Sequence, residues 1–134
     1  MDRITQRVFL FLILAQAGHS TEECLTKLYE VFAPARLVAG LFSNDLARGF
    51  LIANVMLVAF GLWCWAFPVR SGWRVARGLA WSWTLVELSN GTIHSVLALS
   101  RGGYFPGVAT APLLLLLAAG LAVRLTRQGA QPSA

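Results

Sequence analysis

Between Gly49 and Val69 the chain has no Asp, Glu, Lys, Arg or His, and the same holds between Gly102 and Val123. Each stretch is long enough for a membrane-crossing helix, which takes about 20 mainly apolar residues. Two more stretches come close. One runs from Ile4 to beyond Ala17 and is interrupted by Arg7; the other, Gly78 to Ser100, carries one Glu and one His. Four such segments leave little of a 134-residue chain for anything but their connections. Charged residues make up 13% of the chain and hydrophobic ones 57%, whereas a soluble domain carries roughly 25% charge. The expected fold is therefore all-α: a single four-helix transmembrane bundle in the lipid bilayer, with helices at about residues 4–30, 46–68, 73–100 and 107–126.

The first segment has a rival reading. Arg3 and Arg7 resemble the basic region of a secretory signal, Val8–Leu14 its apolar region, and Ala15-Gln16-Ala17 a small-residue cleavage site. The polar group His19, Glu22 and Glu23 follows so closely that the segment is read as a helix of the bundle. With four spans, both termini and the central connection share one side. That side carries Arg3, Arg7, Arg70, Arg74, Arg77, Arg124 and Arg127; the other carries Lys27, Arg36, Arg48 and Arg101. The excess of positive charge predicts cytoplasmic termini. It also explains the net charge of +5 without a nucleic-acid partner, since the basic residues do not cluster with polar or aromatic ones.

The connection from Thr26 to Asp45 reads as the longest loop, with Ser43 or Asn44 placed to cap the second helix. The polar stretch from Arg124 to Ala134 reads as a frayed tail. Cys24 and Cys64 fall at opposite ends of the predicted helices. They are read as unpaired small apolar residues, because bridged Cα atoms lie within about 7 Å.

Ionisable groups within apolar helices are costly and so mark function. Here they form two clusters: His19, Glu22 and Glu23, and Glu87, Asn90 and His94. Spacings of three and four place each cluster on one helix face. At 1.5 Å per residue, His19 lies about 18 Å from Arg7, and Glu87, Asn90 and His94 lie about 15, 20 and 26 Å from Arg77. The first and third helices run in the same direction, so the clusters are expected to meet at one level. Tyr104, Pro106, Gly107 and Thr110 follow at the outer mouth.

In order, these residues read HxxEE (His19, Glu22, Glu23), NxxxH (Asn90, His94) and YxPGxxT (Tyr104, Pro106, Gly107, Thr110). The series resembles the HXXEE-motif family of small bacterial membrane proteins over about residues 8 to 120. The resemblance implies an integral protein of the bacterial inner membrane with an enzyme-like site. It supplies positions rather than a reaction.

Two His with carboxylates suit a divalent metal such as Zn, Fe or Mn. His19, Glu22, Glu23 and His94 are the expected ligands, and Glu22, Glu23, Glu87 and His94 the expected catalytic groups. Glu87 and Asn90 would orient them, while Asn90, Tyr104 and Thr110 would meet a lipophilic substrate. A second expectation is metal-free acid–base chemistry on an isoprenoid-like lipid: isomerisation, hydration or cyclisation. It rests on the tendency of crowded, buried carboxylates to hold a proton. A third is ion, proton or metal transport or binding. The plainer reading of His19, Glu22 and Glu23 is a polar helix end, continued by Thr26, Lys27 and Glu30. For Asn90 and His94 it is ordinary interhelical hydrogen bonding.

Overall fold

A computed structural model describes residues 1–129. Every regular element in this range is helical: α1 (Arg3–Leu25), α2 (Leu28–Val31), α3 (Ala33–Phe42), α4 (Leu46–Cys64), α5 (Ala76–Arg101) and α6 (Ala111–Gly129). A π-helical turn, Trp65–Val69, extends α4. By length and composition two helices suffice to cross a membrane, Leu46–Val69 and Ala111–Gly129.

Local chemistry sets the boundaries. Asp2 caps α1 by accepting from the Thr5 amide at 2.7 Å. The Thr26 amide still makes the ordinary helical bond to the Glu22 carbonyl (2.9 Å), and its hydroxyl adds a second (2.7 Å), but the next amide, of Lys27, tightens to the Cys24 carbonyl at 3.3 Å and the helix stops. Lys27 then adopts a left-handed conformation, φ 54°, so the expected helix through residue 30 is cut short. The stretch expected to be a loop folds instead into α2 and α3, whose early Pro34 lacks only an amide that a first turn leaves free. Asp45, rather than Ser43 or Asn44, caps α4 by accepting from the Arg48 amide at 3.2 Å. Pro68 lies inside the π turn, where a missing amide and a widened turn coincide. Gly102 ends α5 at φ 64°, and α6 starts at Ala111 and continues to Gly129, past the expected 126 and into the stretch read as a frayed tail. The rest of that tail lies outside the described residues.

Side-chain ties fix the order of the helices at one end. The Trp65 indole donates to the Gln6 carbonyl at 3.1 Å, Arg77 to the Leu125 carbonyl at 2.8 Å, and Arg124 to Asp2 at 2.9 and 3.1 Å. The start of α1, the end of α4, the start of α5 and the end of α6 therefore share that end, and the long helices alternate in direction. α6 packs between α1 and α5, α4 lies on the other side of α1, and α3 folds back on α4. Gly49 permits that last contact, since a Cβ there would fall on the Ala39 carbonyl.

The interior has three layers. Phe9, Leu12, Ile13, Trp83, Leu114 and Leu121 form an apolar cluster toward the tied end. Leu28, Tyr29, Ala39, Phe50 and Phe105 form a second at the opposite end. Between them lie the buried polar residues Gln16, His19, Ser20, Glu23, Asn54, Glu87 and His94. The outward surface is oily on every long helix, with Leu14, Val55, Leu85 and Leu116 all at least half exposed. Cys24 and Cys64 are both free thiols.

The Asp2 carboxyl is held below the usual carboxylate range, first by the Thr5 amide and then by the Thr5 hydroxyl and Arg124. A depressed folded value makes its stabilisation complete above the unfolded pKa and lost as the pH falls through the folded one. Asp2→Ala is expected to cost about 1 kcal/mol at pH 7 through the lost cap, and less in acid. Thermal unfolding in detergent at the two pH values checks this.

Candidate metal centre

Polar side chains of α1 and α5 reach across to one another beyond their shared apolar cluster. His19 lies one helical turn before Glu23 on the inner face of α1, and His94 faces them from α5. The His19 and His94 rings meet edge to face with centroids 4.7 Å apart. Glu23 Oε1 lies 3.1 Å from His94 Nε2 and 3.4 Å from His19 Nε2. One ligand atom from each residue falls within 4.8 Å of the others. His19 is fully buried and His94 and Glu23 nearly so.

The hydrogen bonds of the outer ring nitrogens fix what the inner ones present. His94 Nδ1 lies 2.5 Å from the Pro106 carbonyl, which only accepts, so Nδ1 carries the hydrogen. His19 Nδ1 lies 2.7 Å from Thr110 Oγ1. That hydroxyl gives its own hydrogen to Glu22 Oε2 at 2.6 Å, so it accepts from His19. Both rings therefore spend Nδ1–H on a neighbour and turn Nε2 inward. His19 Nε2 is buried and has no hydrogen-bond partner. Two nitrogen lone pairs and a carboxylate oxygen then face one another, an arrangement that needs a cation or a shared proton among them. Two imidazoles and one carboxylate on one side of a point is a donor set suited to Zn, Fe or Mn with positions left open.

Glu22 stands outside this group. Its carboxylate accepts from the Tyr104 hydroxyl (2.6 Å), the Ala109 amide (3.1 Å), and the Thr110 amide (2.9 Å) and hydroxyl. It thus sits at the amino end of α6, where free amides and the helix dipole favour an anion. Tyr104 and Thr110, expected to touch substrate, are both engaged with Glu22. Gly107 (φ 90°) lies so close that a Cβ there would stand 2.5 Å from His94 Nδ1 and 2.8 Å from His19 Cε1. Every named residue of YxPGxxT therefore serves the centre. Tyr104 and Thr110 bind Glu22, Pro106 orients His94, and Gly107 admits both rings.

Glu87 and Asn90 form a neighbouring group. Glu87 is completely buried, and its carboxyl meets the Gln16 amide at 2.7 Å. Asn90 Nδ2 reaches the same amide at 3.5 Å. Gln16 contacts Ser20 Oγ at 3.0 Å, and Ser20 Oγ contacts Asn54 Oδ1 at 2.6 Å. Gln16, Ser20 and Asn54 were missed as site residues. The signal lay in their spacing: Gln16 and Ser20 share a helix face with His19 and Glu23, and Asn54 breaks an apolar run.

A cavity of about 830 Å³ opens between α3, α4 and α5. Its walls include Leu28, Phe32, Phe50, Leu57, Val86 and Ile93, and its inner end Gln16, Glu23, Asn54, Asn90 and His94. The His19, Glu23 and His94 group therefore borders a largely apolar chamber.

No curated protein and no solved structure matches the chain. One family does, over residues 10–122, described as "Protein of unknown function with HXXEE motif". The match spans the HxxEE, NxxxH and YxPGxxT residues that build the centre, and the chain belongs to this HXXEE-motif family.

Proposed function

We propose that this chain is a multi-pass enzyme of the bacterial inner membrane that acts on a lipophilic substrate, using a divalent metal held by His19, Glu23 and His94. The observation that carries the reading is the convergence of two buried Nε2 atoms and Glu23 Oε1 beside a largely apolar cavity. Four long helices with oily outer faces support a bundle in lipid. Arg70, Arg77, Arg124 and both ends of the described chain gather at one end of it. The excess of positive charge there supports cytoplasmic termini.

Zn, Fe or Mn bound there would polarise a substrate oxygen or activate water or oxygen. The protein's part is to fix the three donors. Pro106 and Thr110 hold the rings through Nδ1, and Glu22 holds the Tyr104–Thr110 loop against α1. The cavity admits substrate sideways from the bilayer and keeps bulk water out.

Metal-free acid–base chemistry is the second reading, because a proton shared by Glu23 and the two imidazoles would satisfy the same contacts. Transport finds less support: toward the tied end Phe9, Leu12 and Ile13 close the interior with apolar side chains. Elemental analysis of protein purified without chelator is expected to give one metal ion per chain. Metal-free protein would favour the acid–base reading, and ion flux through reconstituted vesicles the transport reading.

A further inference from the structure

The polar contacts beside the cavity have a direction. Asn54 Nδ2 donates to the Phe50 carbonyl at 3.0 Å, so its Oδ1 faces Ser20 Oγ and must accept there. Ser20 has one hydroxyl hydrogen, and that bond uses it. Gln16 must then present its NH2 group to Ser20, 3.0 Å away, and its oxygen to Glu87, 2.7 Å away. An oxygen-to-oxygen contact of that length requires the carboxyl to donate. Asn90 Nδ2, approaching the same Gln16 oxygen at 3.5 Å, fits this direction too.

An ionised Glu87 fails somewhere along the chain. Gln16 would have to turn its NH2 group to the carboxylate and take the Ser20 hydrogen on its oxygen. Asn54 Oδ1 would then face a hydroxyl with no hydrogen left, and turning Asn54 would set its oxygen against the Phe50 carbonyl. Unmade buried hydrogen bonds of this kind cost about 1–3 kcal/mol each. No Lys or Arg pairs with Glu87 among the described residues.

The resulting polarity leaves a second Asn54 N–H and the Asn90 amide oxygen uncommitted at the inner end of the cavity. Among the described residues no Lys or Arg lines the cavity, and Glu23 is its only carboxylate. In the metal-free protein an anionic head would meet Glu23 and no cationic side chain, and a quaternary ammonium could not use the amides. A hydroxyl or carbonyl can. A volume of about 830 Å³ lies within the usual range for small-molecule sites, about 300–1,000 Å³.

We infer that Asn54 and Asn90 form a subsite for the neutral oxygen head of a single-chain lipophile, with Glu87, as a neutral acid, setting the direction of the hydrogen bonds through Gln16 and Ser20. This rests on the lipophilic-substrate reading but not on the metal. It is therefore tested on chelator-stripped protein in nanodiscs, by equilibrium binding of radiolabelled dodecanol, dodecanoate and dodecyltrimethylammonium against empty nanodiscs. Dodecanol is expected to bind saturably and about tenfold more tightly than either charged probe. Asn54→Leu is expected to remove about that factor; should it not fold, half-buried Asn90→Leu carries the same expectation. Glu87→Leu should weaken dodecanol binding and Glu87→Gln restore it, since a Gln amide N–H can donate to Gln16 as the acid does. The infrared spectrum at neutral pH should show a protonated-carboxyl band that Glu87→Gln removes. Equal binding of the three probes, unchanged binding in the folded Asn variant, or no Glu87-dependent band would overturn the inference. Absence of metal from the purified protein would overturn only the metal reading.

Discussion

Gly107→Ala is expected to empty the proposed metal centre without altering a ligand. The new Cβ would stand 2.5 Å from His94 Nδ1, 2.7 Å from its Cε1 and 2.8 Å from His19 Cε1. Neither ring can retreat without losing its anchor, because His94 is bound to the carbonyl of adjacent Pro106 and His19 to Thr110. The loop cannot easily retreat either, because Glu22 holds it through two amides and two hydroxyls. Gly107 also has φ 90°, and a side chain in such a region adds about 1–3 kcal/mol of strain. The expected result is a metal affinity lowered at least as far as by the loss of a group that orients a ligand, about 10–100-fold, together with a lower melting temperature. Gly103→Ala is the control, since its Cβ would meet nothing within 4 Å. Metal titration and thermal unfolding of the two variants check the comparison; wild-type affinity in Gly107→Ala would mean that the rings do not pack as described.

The helical rise and a shared direction suffice to bring His19 and His94 to one level, and the two rings do meet. Hydropathy and length are one-dimensional properties, so they located four long helices well. They could not locate α2 and α3, because the break after Leu25 depends on the tightened bond from the Lys27 amide to the Cys24 carbonyl and on the left-handed backbone of Lys27. Neither leaves a Gly or Pro in the sequence at that point. The same limit applied within the HxxEE motif. Glu22 and Glu23 are adjacent, so helical geometry separates them by about 100°, and only the packing of the α5–α6 loop decides which faces the centre. Gln16 was passed over because an uncharged amide on an apolar helix has several ordinary uses. Its spacing puts it on the face of His19 and Glu23, but its partner Glu87 lies on a distant segment.

That division between the two adjacent glutamates leads to the sharpest test of the centre. Glu23→Gln replaces the carboxylate oxygen between the two Nε2 atoms with a neutral amide, and metal binding is expected to be lost. His19→Ala and His94→Ala should match it. Glu22→Gln leaves all three ligands in place and acts on the loop instead. A carboxylate can accept all four bonds that reach Glu22, whereas an amide turns its NH2 group against at least one donor. The expected cost is about 1–3 kcal/mol of stability, with metal affinity lowered but measurable. Thr110→Val removes the acceptor that holds His19 Nδ1 and should weaken the metal about 10–100-fold. Tyr104→Phe removes one exposed bond to Glu22 and should leave metal affinity near wild type. The order of metal affinities is therefore Tyr104→Phe, then Thr110→Val and Glu22→Gln, then the three ligand variants. If Glu22→Gln abolished binding as completely as Glu23→Gln while the protein stayed folded, both glutamates would be ligands. The His19, Glu23 and His94 centre would then have to be redrawn around a carboxylate that now caps α6.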